Sequence, residues 1–277
     1  MDDSPPRPKP TSFQRLVRWT CRLAWLALMG VLGFVLTGVL AGWMLARPPR
    51  RALQDYHRDY LDHPAAHGLL IHRAEVSIDG PPHPVPYLVC EPDVHAGPAA
   101  RGTKLRDQLA AGGSVVPAYG FVRGNLVLLH GRKGRKEDLL PVAERFCAAG
   151  FRCLLPDLPA HGENMAPNCG YGTFVQEAEI PAAVLDDAAR RFSFSADQPA
   201  GLWGISMGGS YALSAAKVDA KRWDRVIVVC SFARLYDVVQ GQARHLAGPL
   251  GPRPTIDPRR TLTPETPLRP DLRREPR

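Results

Sequence analysis

Several absences bound this chain before any motif is read. Its six cysteines (Cys21, Cys90, Cys147, Cys153, Cys169 and Cys230) never fall in a CxxC pair. Neither a zinc site nor a disulfide framework is therefore indicated, and Cys147, Cys153 and Cys230 lie in apolar stretches where they read as small core residues. No Gly-Lys-Ser/Thr follows a glycine turn, which removes a phosphate-binding P-loop. No surface pattern of interleaved aromatic and basic side chains is evident. The formal net charge of +8 gathers before residue 60 and after residue 250, so it points to charged ends and not to a nucleic-acid surface. Histidine runs out early: of nine, only His245 follows His161. Nothing in the pattern implies a metal or an organic cofactor.

What the chain does have begins with Leu23 to Ala46, a run without a charged residue. A helix of that length spans the hydrocarbon core of a bilayer, and Trp25 and Trp43 sit near its ends as interface anchors do. The competing reading is a cleaved signal peptide, for which Val39-Leu40-Ala41 is the best cleavage signal. The polar segment 1–22, with Pro5, Pro6, Pro8 and Pro10, reads as a disordered basic arm. Arg15, Arg18 and Arg22 precede the run, and Arg47, Arg50 and Arg51 follow it. Arg7 and Lys9 tip the balance toward an N-terminus in the cytoplasm, with the remainder of the chain on the far side of the membrane.

Residues 47–67 read as a juxtamembrane linker with a charged helix over 48–64. Its His57, His63 and His67 read as solvated side chains, because Pro64 breaks the register that a metal site would need. Residues 67–91 alternate in the manner of strands and suggest an antiparallel pair at a sheet edge. Residues 92–120 read as an irregular excursion with a short helix near Lys104–Ala110. From Gly124 onward, strands and helices alternate. The strands are 124–130, 151–156, 201–205 and 225–230, and the helices are 138–149, 175–192 and the one beginning at Met207. The class is α/β with a mostly parallel sheet.

The stretch Leu202-Trp203-Gly204-Ile205-Ser206-Met207-Gly208-Gly209 carries the chemistry. It is an apolar strand, a Gly-x-Ser-x-Gly turn and the start of a helix. Such a turn holds a serine hydroxyl out of the chain path where a base can reach it. It also forces the residues two before and two after together, so that both must be small. The helix that follows points unpaired N–H groups toward any oxyanion that develops.

Three segments, LVLLHGRKG at 126–134, CLLPDLPAHGEN at 153–164 and LWGISMGGSYA at 202–212, resemble the α/β-hydrolase family in order and spacing. The resemblance covers roughly residues 68–250. It implies an α/β-hydrolase fold preceded by one transmembrane helix, and a serine hydrolase acting on an ester, thioester or amide of a small acyl substrate. It also implies Ser206 as nucleophile, with the backbone N–H groups of Met207 and Arg132 as the oxyanion hole. Under it, His130 and His161 shape their loops and do not act as bases. Ala160 departs from the family's Pro-Gly-His-Gly. The basic run Arg132, Lys133, Arg135 and Lys136 reads as a solvated loop balanced by Glu137 and Asp138, or as an attractor for an acidic substrate.

The family's acid and histidine follow the nucleophile, and there this sequence gives out. After strand 225–230 comes a helix-like stretch, 233–247, and then residues 251–277, rich in proline and arginine and nearly devoid of apolar side chains. That tail reads as disordered, and the hydrolase domain over 68–250 as incomplete. Asp237 and His245 are the triad partners the sequence offers, eight positions apart on one helix-like stretch. A non-catalytic, membrane-tethered binding module of the same fold, or an inactive truncated fragment, is the alternative. Oligomeric state is not legible.

Overall fold

A computed structural model describes residues 11–79, 83–195 and 198–232, with Tyr236 and Gln240. The chain divides into two units, Met1–Ser231 and Phe232–Arg277. In the second, the described Tyr236 and Gln240 are helical, and the Gln240 amide donates to the Tyr236 hydroxyl at 3.4 Å. The tail 251–277, the segment 1–10, Asp237 and His245 lie outside the described residues.

In the first unit, helix α1 runs Ser12–Ala46. It therefore begins inside the segment read as a disordered arm, because Phe13, Leu16, Val17 and Trp19 continue the apolar pattern between the arginines. Its 35 residues make a rod of about 52 Å at ~1.5 Å per residue, longer than a hydrocarbon core. The 32 residues Arg15–Ala46 are long and apolar enough to cross a membrane, and none of the most apolar stretch is covered by the rest of the protein. Arg22 stacks over Trp19 and Arg47 over Trp43.

The linker is extended from Pro48 to Gln54 and helical only over α2 (Asp55–Asp62), shorter than the sequence pattern suggests. His57, expected in solvent, is buried. Its Nδ1 accepts from the Gln54 N–H at 3.0 Å and caps the helix. His67 pairs with Asp59 and stacks on Tyr60.

Six strands form one sheet in the order β1-β2-β4-β3-β5-β6: β1 (Leu69–Val76), β2 (Val85–Pro92), β3 (Gly124–Leu129), β4 (Phe151–Pro156), β5 (Ala200–Ile205) and β6 (Arg225–Val229). The pairs β1–β2 and β2–β4 are antiparallel; β4–β3, β3–β5 and β5–β6 are parallel. The antiparallel edge is thus where the alternation placed it, and the continuous apolar strands are the central ones.

The helices α3 (Ala100–Ala111), α4 (Leu140–Ala148), α5 (Val175–Arg191) and α6 (Met207–Val218) connect the strands. Leu126 and Leu128 of β3 join Leu139, Leu140, Ala143 and Cys147 in a buried cluster on the α4 side of the sheet. The opposite face packs against α5 and α6, where Val184, Leu185, Tyr211 and Ala212 are buried. Gly150 ends α4 at φ 90, a conformation that a Cβ would strain.

One expected core residue is not buried: Cys230 is exposed, and so are Val226, Ile227 and Val228 of β6. The reason is topological. Among the described residues β6 pairs only with β5, and its other edge is open.

Candidate active site

The turn from β5 into α6 places Ser206 at φ 52, ψ −117, a region that a residue with a Cβ rarely occupies. The neighbouring glycines explain how it is tolerated. A Cβ on Gly204 would stand 2.3 Å from the carbonyl oxygen of Gly208, and one on Gly208 would stand 2.0 Å from that of Leu129. The strand and helix therefore close on each other only because both positions lack side chains. The Ser206 N–H donates to Val229 O at 2.9 Å, and its carbonyl accepts from Gly209 N at 3.0 Å and Ser231 Oγ at 2.8 Å. The backbone is pinned from β6 and from its own helix, and among the described residues the hydroxyl itself makes no hydrogen bond.

The loop after β3 comes up against this turn. A Cβ built on Gly131 would lie 3.5 Å from Ser206 Cβ. Gly134 N closes a turn on Gly131 O at 3.0 Å, and Lys133 takes φ 61 within it. The N–H of Arg132 has no acceptor among the described residues. Neither has that of Met207, the first residue of α6, where no intrahelical partner exists. Two free donors thus flank the serine.

His130 is committed elsewhere. Its Nε2 accepts from Leu158 N–H at 3.0 Å, so its Nδ1 carries the proton and donates to Gly131 O at 2.9 Å. Burial pushes its pKa down to about 4. A ring with both nitrogens used and no tendency to protonate shapes the loop and leaves no lone pair for a hydroxyl. His161 donates from Nδ1 to Pro159 O at 2.8 Å, and burial, with the neighbouring His130, lowers it also to about 4. The buried Nε2 of His161 has no hydrogen-bond partner among the described residues. Ala160 stands at φ 64, so the departure from glycine there places a Cβ in the left-handed region, at a cost of about 1 kcal/mol.

The basic run divides in a way the sequence does not announce. Arg132 and Lys133 face the cavity described below, whereas Arg135 and Lys136, expected in a solvated loop, are buried with Glu137. Lys136 Nζ reaches Asp157 Oδ2 and Glu163 Oε2, both at 2.7 Å, and Arg135 Nε meets Glu137 Oε2 at 2.6 Å. Asp157 also accepts the Lys136 and Glu163 N–H groups. Burial alone lowers the Lys136 pKa, but the carboxylates of Asp157 and Glu137 outweigh it and hold the ammonium above its ordinary range. This cluster ties the loop after β3 to the loop after β4. Gly162 seals it: a Cβ there would fall 2.1 Å from Asp157 Oδ1.

Ser206 opens into a cavity of about 790 Å³. Its walls include Leu139, Val142, Trp203 and Ile205, and its mouth carries Arg50, Arg51, Arg132 and Lys133. Arg50, Arg51 and Tyr56, which line it with Pro49, lie far from the motifs in sequence, and no local pattern marks them.

The sequence profile of the alpha/beta hydrolase family matches residues 126–276, more than half of the chain. The chain belongs to the alpha/beta hydrolase family. Among curated proteins it is similar to the thiohydrolase aneE of Aspergillus aculeatus, at 35% identity over 136 residues, which is 47% of this chain and 38% of that one. Among solved structures it is similar to the Pyrococcus furiosus esterase Pf2001, with a TM-score of 0.50 and 14% identity over 73% of this chain and 62% of the esterase. The chain therefore spans well under half of the thiohydrolase and about three-fifths of the esterase. The esterase shares the fold, which is the mostly parallel sheet flanked by helices described above.

Proposed function

We propose that the protein is a membrane-anchored serine hydrolase that cleaves an ester, thioester or amide through an acyl-enzyme on Ser206. The observation that carries this reading is the strained Ser206 backbone, held between two glycines that admit no side chain, with the free N–H groups of Met207 and Arg132 on either side. In the mechanism the Ser206 hydroxyl attacks the carbonyl carbon, and its proton passes to a general base. The two N–H groups hold the oxyanion, the leaving group departs protonated, and water then releases the acyl group. No step requires a metal or an organic cofactor. The thiohydrolase relative favours an acyl substrate with a thioester within this class. The apolar helix α1 supports the anchor, and the distribution of arginines and lysines supports a cytoplasmic N-terminus with the hydrolase domain on the far side.

The base is not His130, whose nitrogens are both engaged. His245, with Asp237 as its acid, is the histidine the sequence leaves for the role. The same engagement of His130 favours the second reading, a hydrolase-like binding module without turnover. A fluorophosphonate probe on the full chain in detergent or lipid separates the two. The hydrolase reading expects an adduct on the Ser206 peptide that disappears in Ser206→Ala and in His245→Ala. A folded protein that takes up no probe favours the binding module, and an adduct that survives His245→Ala removes His245 from the role.

A further inference from the structure

The end of α1 is built into the candidate site. Its last carbonyls accept from three groups around the nucleophile: Met44 O from Arg132 Nη2 at 3.1 Å, Leu45 O from the Tyr171 hydroxyl at 3.1 Å, and Ala46 O from Cys169 N at 2.8 Å. Arg47 Nε then donates to Asn168 Oδ1 at 2.9 Å, and Arg50 Nη2 to Asn164 O at 2.8 Å. The chain leaves the helix and within five residues lines the cavity that holds Ser206. At about 3.3–3.6 Å per extended residue, the mouth lies within ~20 Å of the helix end.

That mouth is strongly cationic. Arg50, Arg51, Arg132 and Lys133 line it, and among the described residues Asp138 is the one carboxylate there. Asp138 is already occupied: it accepts from the Tyr56 hydroxyl at 3.2 Å and from Arg135 N at 3.1 Å, and His57 Nε2 stands 2.8 Å away, although off its N–H line. Arg51 is 3.8 Å from it and half exposed. Arg132 Nε is buried with no hydrogen-bond partner among the described residues. Below the rim the walls turn apolar, with Leu139, Val142, Trp203 and Ile205. The volume falls in the range of about 300–1,000 Å³ that small-molecule sites occupy.

We propose that this cavity takes an acyl substrate bearing a phosphate-like anionic group, an anionic amphiphile, whose charged head seats against Arg51, Arg132 and Lys133 beside the exit of the anchor helix. The inference rests on the reading of Ser206 and α1 given above, and it names the substrate class. Guanidinium forks match a phosphate in geometry as well as charge, and an apolar chain is what the inner walls can hold.

The test is quenching of Trp203, which lines the cavity, in the full chain reconstituted in phosphatidylcholine nanodiscs. The Trp203 signal is the difference between the native protein and Trp203→Phe, which removes quenching of the helix tryptophans by probe in the bilayer. Three probes are compared: 10-bromodecyl phosphate, 10-bromodecanol, and inorganic phosphate as a competitor. The expected result is half-quenching by the phosphate amphiphile at a concentration at least tenfold below that of the alcohol. That preference should fall below threefold in Arg51→Gln/Lys133→Gln, with inorganic phosphate competing only at far higher concentration. Equal quenching by phosphate and alcohol overturns the proposal. So does displacement by inorganic phosphate at the concentration of the amphiphile, which would leave only an adventitious anion site. The preference is a ratio measured within one protein, so a loss of overall affinity in the variant does not obscure it. The readout involves no turnover, and a failed fluorophosphonate experiment leaves it standing.

Discussion

The two flanks of Ser206 are built on different terms. On the β3–β4 side, His130, Arg135, Lys136, Glu137, Asp157 and His161 are all buried, and ion pairs and hydrogen bonds tie them together, with His161 Nε2 left without a hydrogen-bond partner among the described residues. On the β6 side, Val229 O of the strand and Ser231 Oγ just beyond it pin the serine backbone, yet the strand's apolar residues Val226, Ile227 and Val228 are exposed. The contrast separates what fixes the Ser206 backbone from what could act on its hydroxyl. The β3–β4 side is held by buried ion pairs, whereas His130, with both nitrogens engaged, is the one imidazole among the described residues that line the cavity.

Breaking the closed flank should produce the largest effect. Lys136→Met leaves Asp157 and Glu137 buried without their ammonium, and loss of one partner of such a pair costs about 3–5 kcal/mol. Chemical denaturation of the native and variant proteins measures it. A loss below ~1 kcal/mol would show that the cluster is solvated and the flank not closed. A second break uses protons. His130 and His161 have folded pKa values of about 4, below the ordinary 6.5, because burial opposes their charging. The unfolded chain therefore binds these protons first. Their contribution to stability is whole above pH 6.5 and is lost as pH falls toward 4, on the order of a few kcal/mol in total. Denaturation midpoints measured from pH 7.5 to 4 should fall over that window, and a flat profile would mean that one or both rings are accessible. The open flank should barely respond. Ile227, 43% exposed on β6, should tolerate Ile227→Lys within about 0.5 kcal/mol, and the added charge should suppress edge-to-edge association in light scattering. A loss of 2 kcal/mol or more would reveal that this face is covered.

The same division governs how much of the molecule could be read from its sequence. The alternating apolar strands gave the sheet, its antiparallel edge and its parallel centre, because strand periodicity and covered faces are local properties of the chain. The elbow was legible for the same reason: Gly204 and Gly208 are small on account of each other and of Leu129, and that requirement is written into five consecutive residues. The ion cluster was not legible. Arg135-Lys136-Glu137-Asp138 is a charge run that reads as a solvated turn, and only the return of Asp157 and Glu163 from the next loop takes it out of water. The cavity mouth escaped notice for a related reason. Arg50, Arg51 and Tyr56 line the same cavity as Ser206 because α1 docks its last carbonyls on Arg132, Cys169 and Tyr171, a contact across more than eighty positions. Helix α1 began earlier than its uncharged run suggested, since three arginines spaced along an apolar helix do not interrupt it. Cys230 is exposed where its apolar strand suggests a core position, because an apolar strand at the sheet edge is not a covered one.

The most direct test of the account is mass spectrometry of the full chain after brief exposure to a short-chain p-nitrophenyl ester and acid quench. The account predicts an added acyl mass on the peptide containing Ser206, absent from Ser206→Ala and reduced at least a hundredfold when Gly208→Ala opens the elbow. Acyl transfer to another residue, or equal acylation of the native protein and Ser206→Ala, would contradict it.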